Sequence, residues 1–289
     1  MKINIKDVAR KAGVSISTVS RVINESKVVK PETYKKVMKV IEELGYKPNA
    51  IARSLKVKNT KTIGILIPDI SNQFYPEVVR GIEDIANMYQ YNIFLCNTDL
   101  DYEKEIKYFD ALAEKQVDGV IFIGNIVSEE LYKRFITYEI PVVSIGATPE
   151  AIPSVTIDYE GASKAMVKYL IQKGHQRIAM ISGNGNDPVV GIARLEGYKK
   201  ALMESNISIV NELILEGGSR FKHGYEAAIK LLEMDEPPTA IFVANDEMAI
   251  GTIRAALENG YSIPEELAIV GFDNIDMASK IYPALTTVA

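Results

Sequence analysis

The chain has 289 residues, 47% of them apolar, which suits two or three compact units with substantial cores and excludes a disordered protein. No stretch approaches the roughly 18 uninterrupted apolar residues of a membrane span and no apolar leader opens the chain, so a cytoplasmic protein with no membrane partner is expected. The formal net charge of −5 hides a division, with 14 Lys or Arg against 5 Asp or Glu in residues 1–60 and 19 against 33 in residues 61–289, so one small module suits a polyanion and the remainder does not.

Asn4 is placed to cap a helix that starts at Ile5, with Asp7 three residues on, where a carboxylate also suits the helix dipole. Ile5, Val8, Ala9 and Ala12 recur at helical spacing until Gly13. Ser15 then caps a second helix running to about Asn24, with Ile16, Val19, Val22 and Ile23 on its buried side and Ser17, Thr18, Ser20 and Arg21 left for its other faces. The pair reads as a helix-turn-helix whose second helix carries the short polar side chains and the arginine that suit a major groove. Pro31 and Glu32 open a third helix with Val37, Val40, Ile41 and Leu44 on one stripe and Gly45 as its stop. Lys35, Lys36 and Lys39 lie off that stripe, where they suit phosphates. The stretch from Pro48 to Lys56 is barely two turns long, too short to be stable alone. It is expected to order against operator DNA and a second copy of itself.

From Ile63 the pattern becomes short apolar strands alternating with helices. Strands are predicted at 63–68, 91–97, 117–123 and 142–145, with helices at 78–88 and 103–115. The single cysteine, Cys96, falls in the second strand and reads as a small core residue, which leaves no disulfide framework or thiolate metal site. The series restarts after Asp158, with helices at 161–173, 191–205, 223–234 and 248–259 and strands at 177–182, 240–244 and 267–272. Two doubly wound lobes of parallel sheet are expected, adjoining near Asp158, and ligands of such sheets collect beyond the carboxyl ends of the strands. Polar clusters stand at those ends: Asp69, Ser71 and Asn72; Asn97 and Asp99; Asn245 and Asp246; Asp273 and Asn274. Arg194 and Phe221 could add a charged donor and an aromatic wall. Each residue alone could equally be a turn or cap, but four clusters together favour a cleft.

Catalysis has little support. His175 and His223 have no spacing for a metal, and neither a phosphate-binding Gly-Lys-Ser/Thr loop nor a glycine-flanked serine elbow occurs. Neither cofactor nor metal is expected.

The runs Ile5-Lys6-Asp7-Val8-Ala9, Ala12-Gly13-Val14-Ser15, Thr18-Val19-Ser20-Arg21-Val22-Ile23-Asn24 and Leu44-Gly45-Tyr46-Lys47-Pro48-Asn49-Ala50-Ile51-Ala52-Arg53-Ser54-Leu55 together resemble the headpiece of the lactose-repressor and galactose-repressor family of bacterial transcription regulators. The resemblance extends through Pro68-Asp69-Ile70-Ser71-Asn72, Arg194-Leu195-Glu196-Gly197-Tyr198, Ala244-Asn245-Asp246-Glu247 and Gly271-Phe272-Asp273. It implies an all-α helix-turn-helix headpiece over 1–47, a hinge helix and linker over 48–60, and a two-lobed core like that of periplasmic binding proteins over 61–158 and 159–289. Ser17, Thr18 and Arg21, with their neighbours Ser15, Ile16 and Asn24, would read base edges, and Tyr46 would join Lys35 and Lys36 on phosphates. Asn49, Ala52, Arg53, Leu55 and Lys56 would form the hinge, with Leu55 wedged into the minor groove of a kinked operator. The cleft residues would be Asp69, Asn72, Asn97, Arg194, Phe221, Asn245, Asp246 and Asp273.

Asn72-Gln73-Phe74-Tyr75 and the segment Arg80 to Ile93 are similar to a branch of the family that serves carbon catabolite control. That likeness implies an allosteric homodimer with serine-phosphorylated histidine-containing phosphocarrier protein as corepressor, docked on Arg80, Glu83, Asp84, Asn87, Met88 and Tyr89. A basic side chain beside an exposed helix suits a phosphoserine, although an ordinary solvated face has the same composition. Ile16-Ser17 and Arg194 depart from that branch. A sibling that senses a sugar or sugar phosphate is therefore the alternative, ahead of a solute-binding module, which the basic first module disfavours. The family also continues past Thr287 to cross back to the first lobe, so the sequence is expected to belong to a longer chain.

Overall fold

The computed structural model describes residues 3–24, 29–46 and 60–289, and the chain forms two compact units, Met1–Thr60 and Lys61–Ala289. In the first unit, α1 (Ile5–Ala12), α2 (Ile16–Asn24) and α3 (Pro31–Leu44) enclose a small core of Val8, Ala9, Ala12, Val19, Val22, Val37 and Val40. The local chemistry sets their limits. The Asn4 side chain accepts from the N–H groups of Lys6 and Asp7 at 2.9 and 3.3 Å, while Asp7 Oδ2 accepts from the N–H of Asn4 at 3.1 Å, a reciprocal cap. Ser15 Oγ accepts from the N–H of Thr18 at 3.1 Å. α1 and α3 end on Gly13 and Gly45, at φ 63° and 61°, a conformation that costs other residues a Cβ clash. Lys11 and Glu43 tie α1 to α3 at 2.8 Å, and that ammonium holds the Glu43 carboxyl below its usual range. Ile16 corrects the expected stripe: it is 45% exposed, because it stands in the first turn, ahead of Val19 and Val22, over which the core closes.

In the second unit β1 (Thr62–Ile67), α4 (Phe74–Met88), β2 (Asn92–Asn97), α5 (Tyr102–Glu114), β3 (Gly119–Gly124), α6 (Glu129–Thr137), β4 (Val142–Gly146) and β5 (Ser154–Val155) build the first lobe. The second lobe holds α7 (Tyr159–Gln172), β6 (Ile178–Ser182), α8 (Arg194–Glu204), β7 (Ile214–Glu216), α9 (Phe221–Leu232), β8 (Ala240–Val243), α10 (Asp246–Glu258), β9 (Ala268–Phe272) and β10 (Thr286–Val288). Every strand pairing is parallel. The sheet orders β2-β1-β3-β4-β5 and β10-β9-β8-β6-β7 are the same winding twice. Each sheet reverses its course between its first and third strands, and there the carboxyl ends open a crevice.

The fold matches the expected class, with local differences. α6, β5, β7 and β10 lie outside the predicted elements: the strands have only two or three residues, too few for a period to emerge, and only Leu131 and Phe135 of α6 are buried. The helix expected from Gly191 is entered through a wide turn, Pro188–Ala193. There a Cβ on Gly191 would lie 1.9 Å from the Asn184 carbonyl oxygen, so only glycine fits. Leu285 leads into β10, whose backbone is satisfied along the edge of β9.

Candidate nucleic-acid interface and effector cleft

α2 buries Val19 and Val22 and turns Ser17 and Arg21, one helical turn apart, to solvent. Ser15 Oγ lies 2.7 Å from Ser17 Oγ and 2.8 Å from Thr18 Oγ1, so three hydroxyls form one exposed cluster at the start of the helix, beside the exposed Ile16. These groups can donate or accept as a base edge requires. The side chain of Asn24 lies outside the described residues, as do Asn49, Ala52, Arg53, Leu55 and Lys56. Lys35 and Lys36 are exposed on α3, whereas Tyr46 is half-buried and packs on the headpiece core.

The cleft side chains come from the carboxyl ends of β1, β2, β3, β6, β7, β8 and β9 and from the segments that follow them. Asn97 Oδ1 accepts from the N–H of Ile70 at 2.6 Å and its amide donates to Asp99 Oδ1 at 2.5 Å, so Asn97 braces the loop that carries Asp69. Asn72 Oδ1 accepts from the N–H of Phe74 at 3.0 Å in the turn ahead of α4, and Asn245 Oδ1 accepts from that of Met248 at 2.8 Å as the N-cap of α10.

Arg194 and Asp273 are the innermost pair. Arg194, 4% exposed, reaches Asp273 Oδ1 with Nη2 at 3.1 Å and the Ala244 carbonyl oxygen with Nη1. Its guanidinium lies 3.7 Å from the Phe272 ring centroid, and its Nε is buried without a partner. Burial lifts the Asp273 carboxyl to about 6 although Arg194 pulls it down. Asp273 also sits at φ 112°, a strained backbone for a residue with a Cβ, held by its N–H donating to the Val288 carbonyl at 3.0 Å. Burial likewise raises the hydroxyls of Tyr75 and Tyr159 beside this pair. Asp246 differs from its expected place on the cleft wall. It is fully buried, and its oxygens accept from Thr287 Oγ1 at 2.5 Å and the N–H of Ile275 at 2.9 Å, so it ties β10 to its own lobe.

Phe221 is 40% exposed at the start of α9, where its ring stacks on Tyr225. Three residues with no distinctive motif around them, Arg220, Asn125 and Asp187, connect the lobes. Arg220 pairs with Asp69, and Asn125 Nδ2 donates to Asp187 Oδ2 at 2.9 Å. The Gly217-Gly218 pair just before Arg220 and the Gly124-Asn125 end of β3 are the only sequence signals for them.

On α4, Arg80, Glu83, Asp84, Asn87, Met88 and Tyr89 are all exposed. Arg80 and Asp84 approach to 4.0 Å along the helix. Met88 and Tyr89 are 66% and 63% exposed, and Ile85 beside them is 57% exposed. The face is thus a weak ion pair beside an apolar strip. Among the described residues no His, Cys, Asp and Glu cluster is arranged for a metal, and no helix is long and apolar enough to cross a membrane.

Residues 4–49 match the family described as bacterial regulatory proteins, lacI family. Residues 60–289 match periplasmic binding proteins and sugar binding domain of LacI family. The chain is 49% identical to catabolite control protein A of Priestia megaterium over all of this chain and 87% of that protein. It is 45% identical to the HTH-type transcriptional regulator RegA of Clostridium saccharobutylicum, over all of this chain and 88% of that one. A crystal structure of the lac repressor dimer bound to operator and the anti-inducer ONPF superposes with a TM-score of 0.90, at 28% identity, over 99% of this chain and 87% of that one.

Proposed function

The chain belongs to the LacI family of bacterial regulatory proteins and is a DNA-binding transcription regulator rather than an enzyme, and from that premise we propose that it is an allosteric homodimeric repressor of carbon catabolite control. The observation that carries the reading is the exposed Ser17 and Arg21 on α2, with Ser15 and the half-buried Thr18 hydroxyl clustered at the helix start, set on a module with 14 basic against 5 acidic residues. Two such headpieces would read a pseudo-palindromic operator in the cytoplasm, with Ile16 and Asn24 at the margins of the base contacts. Lys35, Lys36 and the Tyr46 hydroxyl would hold phosphates, and the segment from Asn49 to Lys56 would pair across the dimer axis and enter the minor groove.

In this scheme residues 1–47 are the headpiece, 48–60 the hinge, and 61–158 and 159–289 the lobes. A serine-phosphorylated phosphocarrier protein would dock on α4, its phosphate at Arg80 and its apolar surface on Met88 and Tyr89. By favouring one arrangement of the lobes it would favour one spacing of the hinge segments, and hence DNA binding. Tight identity to catabolite control protein A over the whole chain supports this partner.

Titration of operator DNA against the full chain, with and without the phosphorylated carrier, tests the proposal. Tighter binding with the carrier is expected. Unchanged affinity at saturating carrier overturns the corepressor reading. It would favour the second reading, a sugar or sugar phosphate in the cleft, for which the orphaned, buried Nε of Arg194 is the supporting observation, since such a group is explained by a partner the chain does not supply.

A further inference from the structure

Beyond β1, Asp69 is fixed before it meets the other lobe: its Oδ1 accepts from the N–H and Oγ of Ser71 at 2.9 and 2.7 Å. Its Oδ2 is left for Arg220 Nη2 of the second lobe. Arg220 is fixed in turn. His223 Nδ1 accepts from the N–H groups of Ser219 and Arg220 at 3.2 and 3.3 Å, and the Asn245 amide donates to the Ser219 carbonyl at 3.4 Å. A Cβ on Gly218 would lie 2.3 Å from His223 Nδ1, so a side chain there would push the His223 ring away from the N–H groups it accepts. Arg220 Nη1 also reaches Glu247 Oε1 of its own lobe at 3.7 Å. One guanidinium therefore stands between a carboxylate of each lobe, with its parts preset by their own loops. At another cross-lobe contact Asn125 donates to Asp187, whose Oδ1 also accepts the N–H groups of Val189 and Val190 at 2.8 Å.

We propose that Arg220 is a built-in latch of the cleft, a side chain that takes the bridging place between Asp69 and Glu247 and so biases the lobes toward the closed arrangement from within the chain. This rests on the reading of the cleft as the regulatory element. It deepens that reading: an effector that uses Asp69 must displace Arg220, and the balance between lobe arrangements is set by the chain's own charges before any partner acts. Arg220, Asp69 and Glu247 keep 37%, 21% and 27% of their side-chain surface exposed, so the latch is open to competition and to salt, as a switch rather than a clamp must be.

Hydrogen–deuterium exchange of the full chain without DNA reads the latch directly. Arg220→Gln is expected to speed exchange about threefold to fivefold, the scale on which a partly exposed ion pair moves an equilibrium, in both 69–75 and 184–190, while 240–244 stays unchanged. Asp69→Asn should do the same, the double variant no more than either, and Arg220→Lys should recover part of the protection. High salt should speed the parent chain and leave Arg220→Gln unaffected. Acceleration confined to 219–225, or effects of the two single variants that simply add, overturns the latch. Operator binding by the parent chain is measured separately, so a failed latch and a failed DNA-binding reading give different results.

Discussion

Arg194 and Asp273 meet at 3.1 Å with only 5% and 13% of their side chains exposed, and the pair joins the start of α8 to the end of β9. Both charges are withdrawn from water, yet burial still lifts the Asp273 carboxyl to about 6. The cation is thus a partial compensation, and its removal is the costly change.

Arg194→Met keeps the length of the side chain and deletes its charge, the hydrogen bond to the Ala244 carbonyl and the stacking on Phe272. The loss should be about 3 kcal/mol of the core unit's stability at neutral pH, the scale of a broken buried pair. Because Asp273 can escape by taking up a proton, the loss should be smaller near pH 5 than at pH 8. Urea unfolding of parent and variant at both pH values checks this, and a loss that does not vary with pH would contradict it.

Glu105 is 6% exposed on α5, with Oε2 buried and unpartnered, and burial raises its carboxyl from 4.5 to about 7. A carboxyl raised on folding stabilises fully below its unfolded value and loses that contribution as pH climbs through its folded value. The first lobe should therefore weaken between about pH 4.5 and 7, by on the order of 2–3 kcal/mol for a shift of this size. Glu105→Gln should be more stable than the parent at pH 8 and indistinguishable from it at pH 4, as measured by denaturant midpoints across that range.

Asn4→Ala removes two acceptor contacts at the start of α1 and should cost the headpiece about 1 kcal/mol. Exchange protection of the amides of Val8 to Ala12 should fall while that of the second unit is untouched.

On DNA, the exposed Arg21 and Lys35 should separate by role. Arg21→Ala should lose about 1–3 kcal/mol against a preferred site and discriminate less among sites, whereas Lys35→Met should weaken all sequences alike and reduce the salt slope by about 1. Binding isotherms on matched and scrambled duplexes at several salt concentrations distinguish the two outcomes.

The headpiece was legible because its structure is local. Asn4, Ser15, Gly13 and Gly45 set helix limits through contacts only a few residues apart, and the stripe of Val8, Ala12, Val37 and Val40 follows from the helical period alone. Ile16 escaped that logic, since its exposure depends on how far the small core extends. In the second unit the winding of two parallel sheets could be read from strands such as 178–182 and 240–243, whose unbroken apolar runs need cover on both faces. β5, β7 and β10 could not, because two or three residues show no period and pair only where an edge is already waiting.

The cleft divides in the same way. Composition and spacing by themselves determined a basic helical module, a double α/β core and the polar residues at its strand ends. Only the tertiary structure decided which of those residues face one another, because an ion pair such as Arg220 with Asp69 joins positions far apart in the chain and leaves no mark on the neighbours of either. Asp246 and Asp273 are both acids at strand ends in the sequence. One is sealed into its lobe by Thr287 and Ile275 while the other meets Arg194, and that difference arises from desolvation and partners that exist only once the sheets are packed.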